Sequence, residues 1–381
     1  MRILVAGDFC PHDRVVPIIE EGRYRELWND VPDITKGADY SILNLECPVV
    51  EHQAAPIDKC GPNLKSSAKA IDAIKYAGFN CATLANNHFY DYGEIGVNDT
   101  LSALQGQSID HVGGGVNLLE ASKTLYKDVN GMKLAIVNCC EHEFSIATET
   151  TGGSNPLNPI QQYYAIHEAR KNADRVVVIV HGGVELFWLP SKRMIETYRF
   201  FIDAGADAVV NHHQHCYSGY EVYKGKPIFY GLGNFCFDGG TIGKGDRWVT
   251  GFMLKLDLTN DHAIKYEMIP YRQCDEKVGV HLMVGEDIEF FYKRIEEYNR
   301  IIEDDSRKEC EYLRWCDKNK EMYKSALNPL YNRLTKKLFD GVIGRRMIGT
   351  AKWLHIKNYM MNESHIERVR LLIEQNIKYN K

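Results

Sequence analysis

The chain has no stretch of ~18–20 consecutive apolar residues, so no membrane-spanning helix is expected. It has 11 cysteines but no Cys-x-x-Cys; only Cys139 and Cys140 are neighbours, and the dithiol signatures of redox enzymes and thiolate zinc sites are absent. It lacks an excess of positive charge. With 46 Lys and Arg against 51 Asp and Glu the net charge is −5, which weighs against nucleic-acid binding by the chain as a whole. It shows no internal repeat and no low-complexity segment. The first apolar run, RILVAG at 2–7, is too short for a secretory leader and is soon followed by acids, so it reads as a strand. Without an export signal, reduced thiols and a cytoplasmic location are expected, peripheral association with a membrane being the variant.

What is present suits a globular protein. The 381 residues, 44% hydrophobic and 25% charged, allow one large domain with an accessory part, or two domains. Apolar strand patterns cover 2–7, 40–45, 79–84, 132–138, 175–180 and 206–210. Helical patterns lie between them at 66–77, 98–105, 160–173 and 191–204, with Ser66 placed as an N-cap and Gly78 as a stop. The run RVVVIV at 175–180 predicts a strand covered on both faces. Up to about residue 215 this is an α/β alternation. Strands at 219–223, 226–232, 248–257 and 263–270, joined by turns such as Lys224-Gly225 and Asn260-Asp261, then read as an antiparallel return sheet.

The strand ends carry the chemistry. In α/β folds ligands gather at the carboxyl ends of strands. Here those ends hold Asp8, Glu46, Asn87, His88, His181, Glu185, His213 and His215. Each has an ordinary reading as well: Asp8 a turn or cap, Glu46 a solvated charge, Asn87 a turn residue, His181 a satisfied core imidazole. Extended backbone would send His213 and His215 to the same side. Together, carboxylates, an amide oxygen and several imidazoles suit one or two divalent ions such as Mn, Fe or Zn. Glu141 and Glu143 follow another strand and read as a pocket wall; Glu185 reads as a substrate contact or as a surface ion pair. The segment around Asn234 and Asp238 reads mainly as tight packing of turn against sheet.

Six motifs occur in order: Gly7-Asp8; Asn44-Leu45-Glu46; Ala85-Asn86-Asn87-His88 with Asp91-x-Gly93; His181-Gly182-Gly183-x-Glu185; His213-x-His215; and the run from Ile228 through Gly231, Gly233 and Asn234 to Asp238. This ordered set resembles the CapA family of bacterial capsule-synthesis proteins, named from poly-γ-glutamate capsule production, within the calcineurin-like metallophosphoesterase superfamily. The resemblance spans roughly residues 1–272. It implies an α+β or α/β fold, a β-sandwich flanked by helices, with two metals at one end.

The resemblance also implies roles. Asp8 binds the first metal, Glu46 bridges, Asn87, His181 and His213 hold the second, and His215 returns to the first. His88 is the non-ligand histidine that stabilises the transition state or protonates the leaving oxygen. Asp91 either orients His88 or caps a turn. The chain departs from the usual Asp-x-His motif, since residue 10 is Cys; Cys10 or His12 would have to replace the missing imidazole. The bridge is Glu where Asp is usual, so both one and two metals stay open. The implied activity is phosphoester hydrolysis in surface-polymer biosynthesis. The alternatives are amide hydrolysis of a poly-γ-glutamate-like polymer, or a non-catalytic subunit of a polymer synthase. The implied partners are an anionic or phosphorylated small molecule or polymer and a membrane-bound synthase.

The expected domains are 1–275, carrying these motifs, and a helical extension at 276–381. Within the extension, 333–357 interleaves Arg333, Lys336, Lys337, Arg345, Arg346, Lys352 and Lys357 with apolar residues. It reads as a packed helix with a cationic face, as a surface for anionic lipid or a synthase, or as a funnel for an anionic polymer.

Overall fold

The computed structural model describes residues 1–59, 61–239, 245–258 and 264–327, the last eight as backbone only. The basic stretch 333–357 and the turn at Asn260-Asp261 lie outside the described residues. One compact unit spans Met1–Tyr312, and a second begins at Leu313.

Two large mixed sheets form the body of the first unit, beside a small pair of strands, Gly114–Gly115 and Gly153–Ser154. The seven-stranded sheet runs Val280–Leu282, Lys265–Gln273, Thr250–Asp257, Arg2–Phe9, Tyr40–Leu45, Cys81–Thr83, Asp110–Val112. Its last four members are parallel and its first three pair antiparallel. The six-stranded sheet runs Tyr220–Tyr223, Lys226–Phe229, Ala208–His212, Arg175–His181, Met132–Cys140, Leu125–Val129, with its four inner strands parallel. The sheets pack face to face: Tyr220 and Phe229 of one meet Tyr266 of the other, at ring-centroid distances of 5.3 and 5.4 Å. Helices Pro159–Asn172 and Lys192–Ala204 lie against the six-stranded sheet. Side chains of the first helices, including Trp28, Ile71 and Ile74, bury the outer face of the other sheet around Leu4, Leu43 and Phe235. This is the helix-flanked sandwich of the expected fold class.

Local chemistry explains most boundaries. Asn158 caps the helix that Pro159 opens, and Ser191 caps Lys192–Ala204. Ser66 does not cap. It bridges to Val49, and the helix begins later, at Lys69, without a side-chain cap. The return strands do not form one sheet. Tyr220–Tyr223 and Lys226–Phe229 complete the six-stranded sheet, whereas Thr250–Asp257 and Lys265–Gln273 join Arg2–Phe9 in the other, so the chain has changed sheets between Phe229 and Thr250. That crossing passes directly behind Asp8. A Cβ on Gly7 would lie 1.9 Å from the Gly233 carbonyl oxygen, so glycine is required for the approach. Helix follows at Glu286–Glu303 and Asp305–Leu327, but Val280–Leu282 is a strand. No helix among the described residues is long and apolar enough to cross a membrane.

Candidate metal centre

Five strand ends bring the motif residues together. The register of Arg2–Phe9 against Tyr40–Leu45 shifts between Val5 and Asp8, a bulge that re-aims the Asp8 side chain. Asp8 Oδ1 accepts from Asn44 Nδ2 at 2.7 Å and lies 3.3 Å from His212 Nδ1. Its Oδ2 accepts the His213 backbone N–H at 3.2 Å. Burial alone would raise this carboxyl. The His212 contact and the charges of His212, His181 and His215 outweigh burial and hold it below the usual carboxylate range.

Glu46 leaves the strand Tyr40–Leu45 fully buried, and neither carboxylate oxygen has a hydrogen-bond partner among the described residues. Burial, and then the charge of Asp8, push it well above the usual range. Its Oε1 lies 3.4 Å from His181 Nε2 and 3.6 Å from His215 Nε2. His181 Nε2 is also 3.0 Å from Asn87 Oδ1 and 3.0 Å from His213 Nδ1. Burial pushes His181 well below the usual imidazole range, and burial also lowers His215.

Two groups able to hold an ion result, Glu46–His181–His213 and Asp8–Glu46–His215, and they share Glu46. Asn87 Oδ1 adds a fourth donor to the first of them. The residues fit a divalent cation. An orphaned buried carboxylate faces nitrogen and oxygen lone pairs that a proton alone satisfies only in part.

His213 and His215 do not converge by strand alternation. The strand ends at His212, and both residues have left-handed backbone, φ 90° and 54°. The turn sends their rings to different groups, with centroids 6.2 Å apart. Cys10 enters neither group. It is buried in the apolar cluster, and burial, with Cys47 beside it, pushes its thiol well up, so it is no thiolate. His12 also stays out: it is 43% exposed, with Nδ1 at the Asp238 carbonyl. Apart from His212, whose Nδ1 meets Asp8 Oδ1 at 3.3 Å, the Asp8 group therefore has one imidazole among the described residues.

His88 is buried beside Asn87, and its Nδ1 lies 2.7 Å from Asp91 Oδ2. Glu185 is exposed at the rim, where its charge raises both Glu46 and His215. Glu143 faces His213 Nε2 at 3.9 Å. Glu141 is engaged elsewhere, accepting from the Gly183 N–H at 3.0 Å and from Arg193 at 2.7 Å. Sequence reasoning missed Lys59, Asn44 and His212. The doubled imidazole at His212-His213 and the Asn in Asn44-Leu45-Glu46 were visible signals, whereas nothing in the loop around Lys59 marked it.

A helix-flanked two-sheet sandwich with carboxylates and imidazoles gathered at the strand ends is the class of protein these features define. Residues 2–239 match the family described as bacterial capsule synthesis protein PGA_cap, and the chain belongs to that family. It is 35% identical over 248 residues to the capsule biosynthesis protein CapA of Bacillus anthracis, covering 63% of this chain and 60% of that protein. It is 33% identical over 267 residues to the PGA biosynthesis protein CapA of Bacillus subtilis, covering 69% of each. The chain thus spans about three fifths of the length of the B. anthracis relative. Among solved structures it is similar to a 5'-nucleotidase precursor from Thermus thermophilus, at 12% identity and TM-score 0.45, covering 77% of this chain and 57% of that one. A putative 5'-nucleotidase from Staphylococcus aureus gives 15% identity and TM-score 0.42, covering 78% of this chain and 58% of that one. At these scores neither likeness bears on function.

Proposed function

We propose that the chain is a metal-dependent hydrolase of phosphoesters that acts in the making of a capsule or surface polymer. The observation that carries the reading is the sharing of buried, unpartnered Glu46 by two groups of metal-ligating side chains, with the His88–Asp91 pair beside Asn87. Asp8, Glu46 and His215 would hold one divalent ion, and Glu46, Asn87, His181 and His213 another. Such an ion supplies Lewis-acid polarisation of a phosphoryl oxygen and activation of water near neutral pH.

The chain's own residues do the rest. Asp91 accepts the Nδ1 proton of His88 and turns Nε2 toward the substrate, where a ring protonated at both nitrogens gives the Nε2 proton to the leaving oxygen. Asn44 and the His213 N–H hold Asp8 in place, so the charge that faces the ion does not wander. Glu143 and Glu185 make an acidic rim, so a substrate's anionic group would be drawn in by the ion and not by the rim. The proposed partners are a phosphorylated intermediate or anionic polymer and the synthase that uses it.

The test is elemental analysis of the purified protein, paired with a screen of phosphodiesters, phosphomonoesters and poly-γ-glutamate. Stoichiometric Mn, Fe or Zn with phosphoester turnover is the expected result, and His88→Ala should keep the metal and lose turnover. Metal with cleavage of the polymer alone would move the bond to an amide. Metal without any turnover would support a second reading, a metal-stabilised subunit of a synthase. One observation favours that reading: Cys10 stands buried and protonated where an imidazole is usual.

A further inference from the structure

Between the strand Tyr40–Leu45 and the helix Lys69–Tyr76 the described residues form no helix and one isolated bridge, Val49 to Ser66, yet some of them are clipped firmly onto the His88–Asp91 turn. The Ile57 N–H donates to the Asp91 carbonyl at 2.9 Å, and Asn63 Nδ2 donates to the Ile57 carbonyl at 2.8 Å. The Leu64 N–H donates to Asp91 Oδ2 at 2.7 Å. Between these clips Lys59 turns inward. Its side chain is 1% exposed, and its ammonium donates to Asp91 Oδ1, whose residue is fully buried. The same nitrogen stands 3.0 Å from His88 Nδ1 and 5.5 Å from the centre of the Phe144 ring.

A proton count fixes what these contacts mean. Asp91 Oδ2 and His88 Nδ1 are 2.7 Å apart, so a proton lies between them, carried by Nδ1. Nδ1 therefore does not accept from Lys59, whose proton goes to Asp91 Oδ1. The three side chains form a closed hydrogen-bonded set, with Asp91 accepting from both Lys59 and His88. A buried carboxylate without its cation is strongly unfavourable and recovers neutrality by binding a proton. The proton on Asp91 would then compete with the one from Nδ1, and the ring would lose its fixed tautomer.

We propose that Lys59 is a positioning residue of this site. Its ammonium holds Asp91 Oδ1, which leaves Asp91 Oδ2 to fix the His88 ring with Nδ1–H inward and Nε2 open to substrate. The proposal rests on reading His88 as the proton-exchanging group. It also gives the clips at Ile57 and Leu64 a task, since they hold Lys59 against the turn.

The experiment uses zinc-loaded protein with 15N-labelled histidine and Lys59→Met, which keeps an unbranched apolar stem and removes the charge. Wild type should show His88 as the Nδ1–H tautomer with a strongly hydrogen-bonded ring proton. Lys59→Met should lose that signal with zinc content unchanged. Toward bis(p-nitrophenyl) phosphate its kcat should fall by ~10-fold or more with KM within about twofold, as for other groups that orient through a neighbour. Lys59→Arg should restore both readouts, which a mere loop tether would not require. A Lys59→Met protein that keeps the ring signature and the kcat overturns the proposal, whatever its stability. If wild type itself hydrolyses neither phosphodiesters nor phosphomonoesters, the hydrolase reading fails, and the ring spectrum still decides the role of Lys59. Should Lys59→Met not fold, the Lys59 ammonium protons are read in wild type and in Asp91→Asn. They should exchange slowly in the first and quickly in the second, and equal exchange overturns the proposal.

Discussion

His215 Nδ1 lies 2.9 Å from Asn234 Oδ1. An amide oxygen only accepts, so Nδ1 carries the ring proton and Nε2 keeps its lone pair, 3.6 Å from Glu46 Oε1. Asn234 is itself fixed on both sides: its Nδ2 donates to the Trp248 carbonyl at 3.3 Å, and its carbonyl accepts from the Tyr271 hydroxyl at 2.8 Å. The crossing between the sheets thus sets the tautomer of a candidate ligand.

Asn234→Ala should therefore weaken binding at Asp8–Glu46–His215 by roughly 10–100-fold, the usual effect of removing a partner that orients a ligating histidine. Asn234→Asp keeps an acceptor and should retain most of the affinity. Zinc titration against a competing chelator measures both, and an Asn234→Ala protein that binds like wild type would separate the tautomer from this contact.

The turn at His213 offers a test of backbone strain that involves no metal. Its φ of 90° is costly for any residue with a Cβ. With metal removed, His213→Gly should be more stable than His213→Ala by about 1 kcal/mol, because glycine relieves the strain that alanine keeps. Urea unfolding of the two variants decides it; alanine equal to or above glycine would show that the surrounding contacts carry no strain.

Much of this site was legible in the sequence because strand ends in an α/β pattern are short-range features. RILVAG before Asp8, YSILNL before Glu46 and RVVVIV before His181 are apolar runs whose stops need no partner to be seen. What stayed hidden depends on contacts made far along the chain. The Lys59 ammonium is 32 residues from Asp91, and Asn234 is 19 from His215, and no local pattern pairs them. The splitting of the return strands between two sheets was equally out of reach, since the alternation in Tyr220–Phe229 and Thr250–Gln273 is the same whichever sheet they join. The helices Val15–Glu20, Tyr24–Trp28 and Val31–Lys36 are too short to give a helical period, and tertiary burial of Ile19, Trp28 and Val31 forms them.

Glu46 makes the metal-free protein depend on pH in a particular direction. Its carboxyl is raised by burial in the folded chain above the ordinary value of 4.5. The folded state therefore holds this proton where the unfolded state has released it. The stability it contributes is complete below about pH 4.5 and is lost as pH rises through the folded value. His181 and His215 act oppositely: both are lowered from 6.5, so their share is complete above that pH and is lost as pH falls. Comparing Glu46→Gln with wild type isolates the first effect. Without metal the variant should be the more stable protein at pH 7.5, with the advantage shrinking toward pH ~4.5. With zinc added the order should reverse, because only wild type gains binding energy. Urea midpoints across the pH range give the answer, and a metal-free variant weaker than wild type at pH 7.5 would mean that Glu46 has a partner of its own.

The two groups should also part with their ions unequally. Glu46–His181–His213 has two imidazoles and the Asn87 amide oxygen, whereas Asp8–Glu46–His215 has a single imidazole, because Cys10 is withdrawn into the apolar cluster. Imidazole is the strongest neutral donor available here for a borderline ion, so the second group should be the weaker. Increasing chelator should remove one equivalent of zinc well before the other, as read by elemental analysis after each step. His215→Ala should bring the starting content from two equivalents toward one and abolish the early step, while His181→Ala should remove the late one. Cys10→His restores the usual imidazole, and if its ring reaches the Asp8 group the early step should move to higher chelator. A single release step in wild type at two equivalents would show that the shared carboxylate, rather than the number of imidazoles, governs both ions.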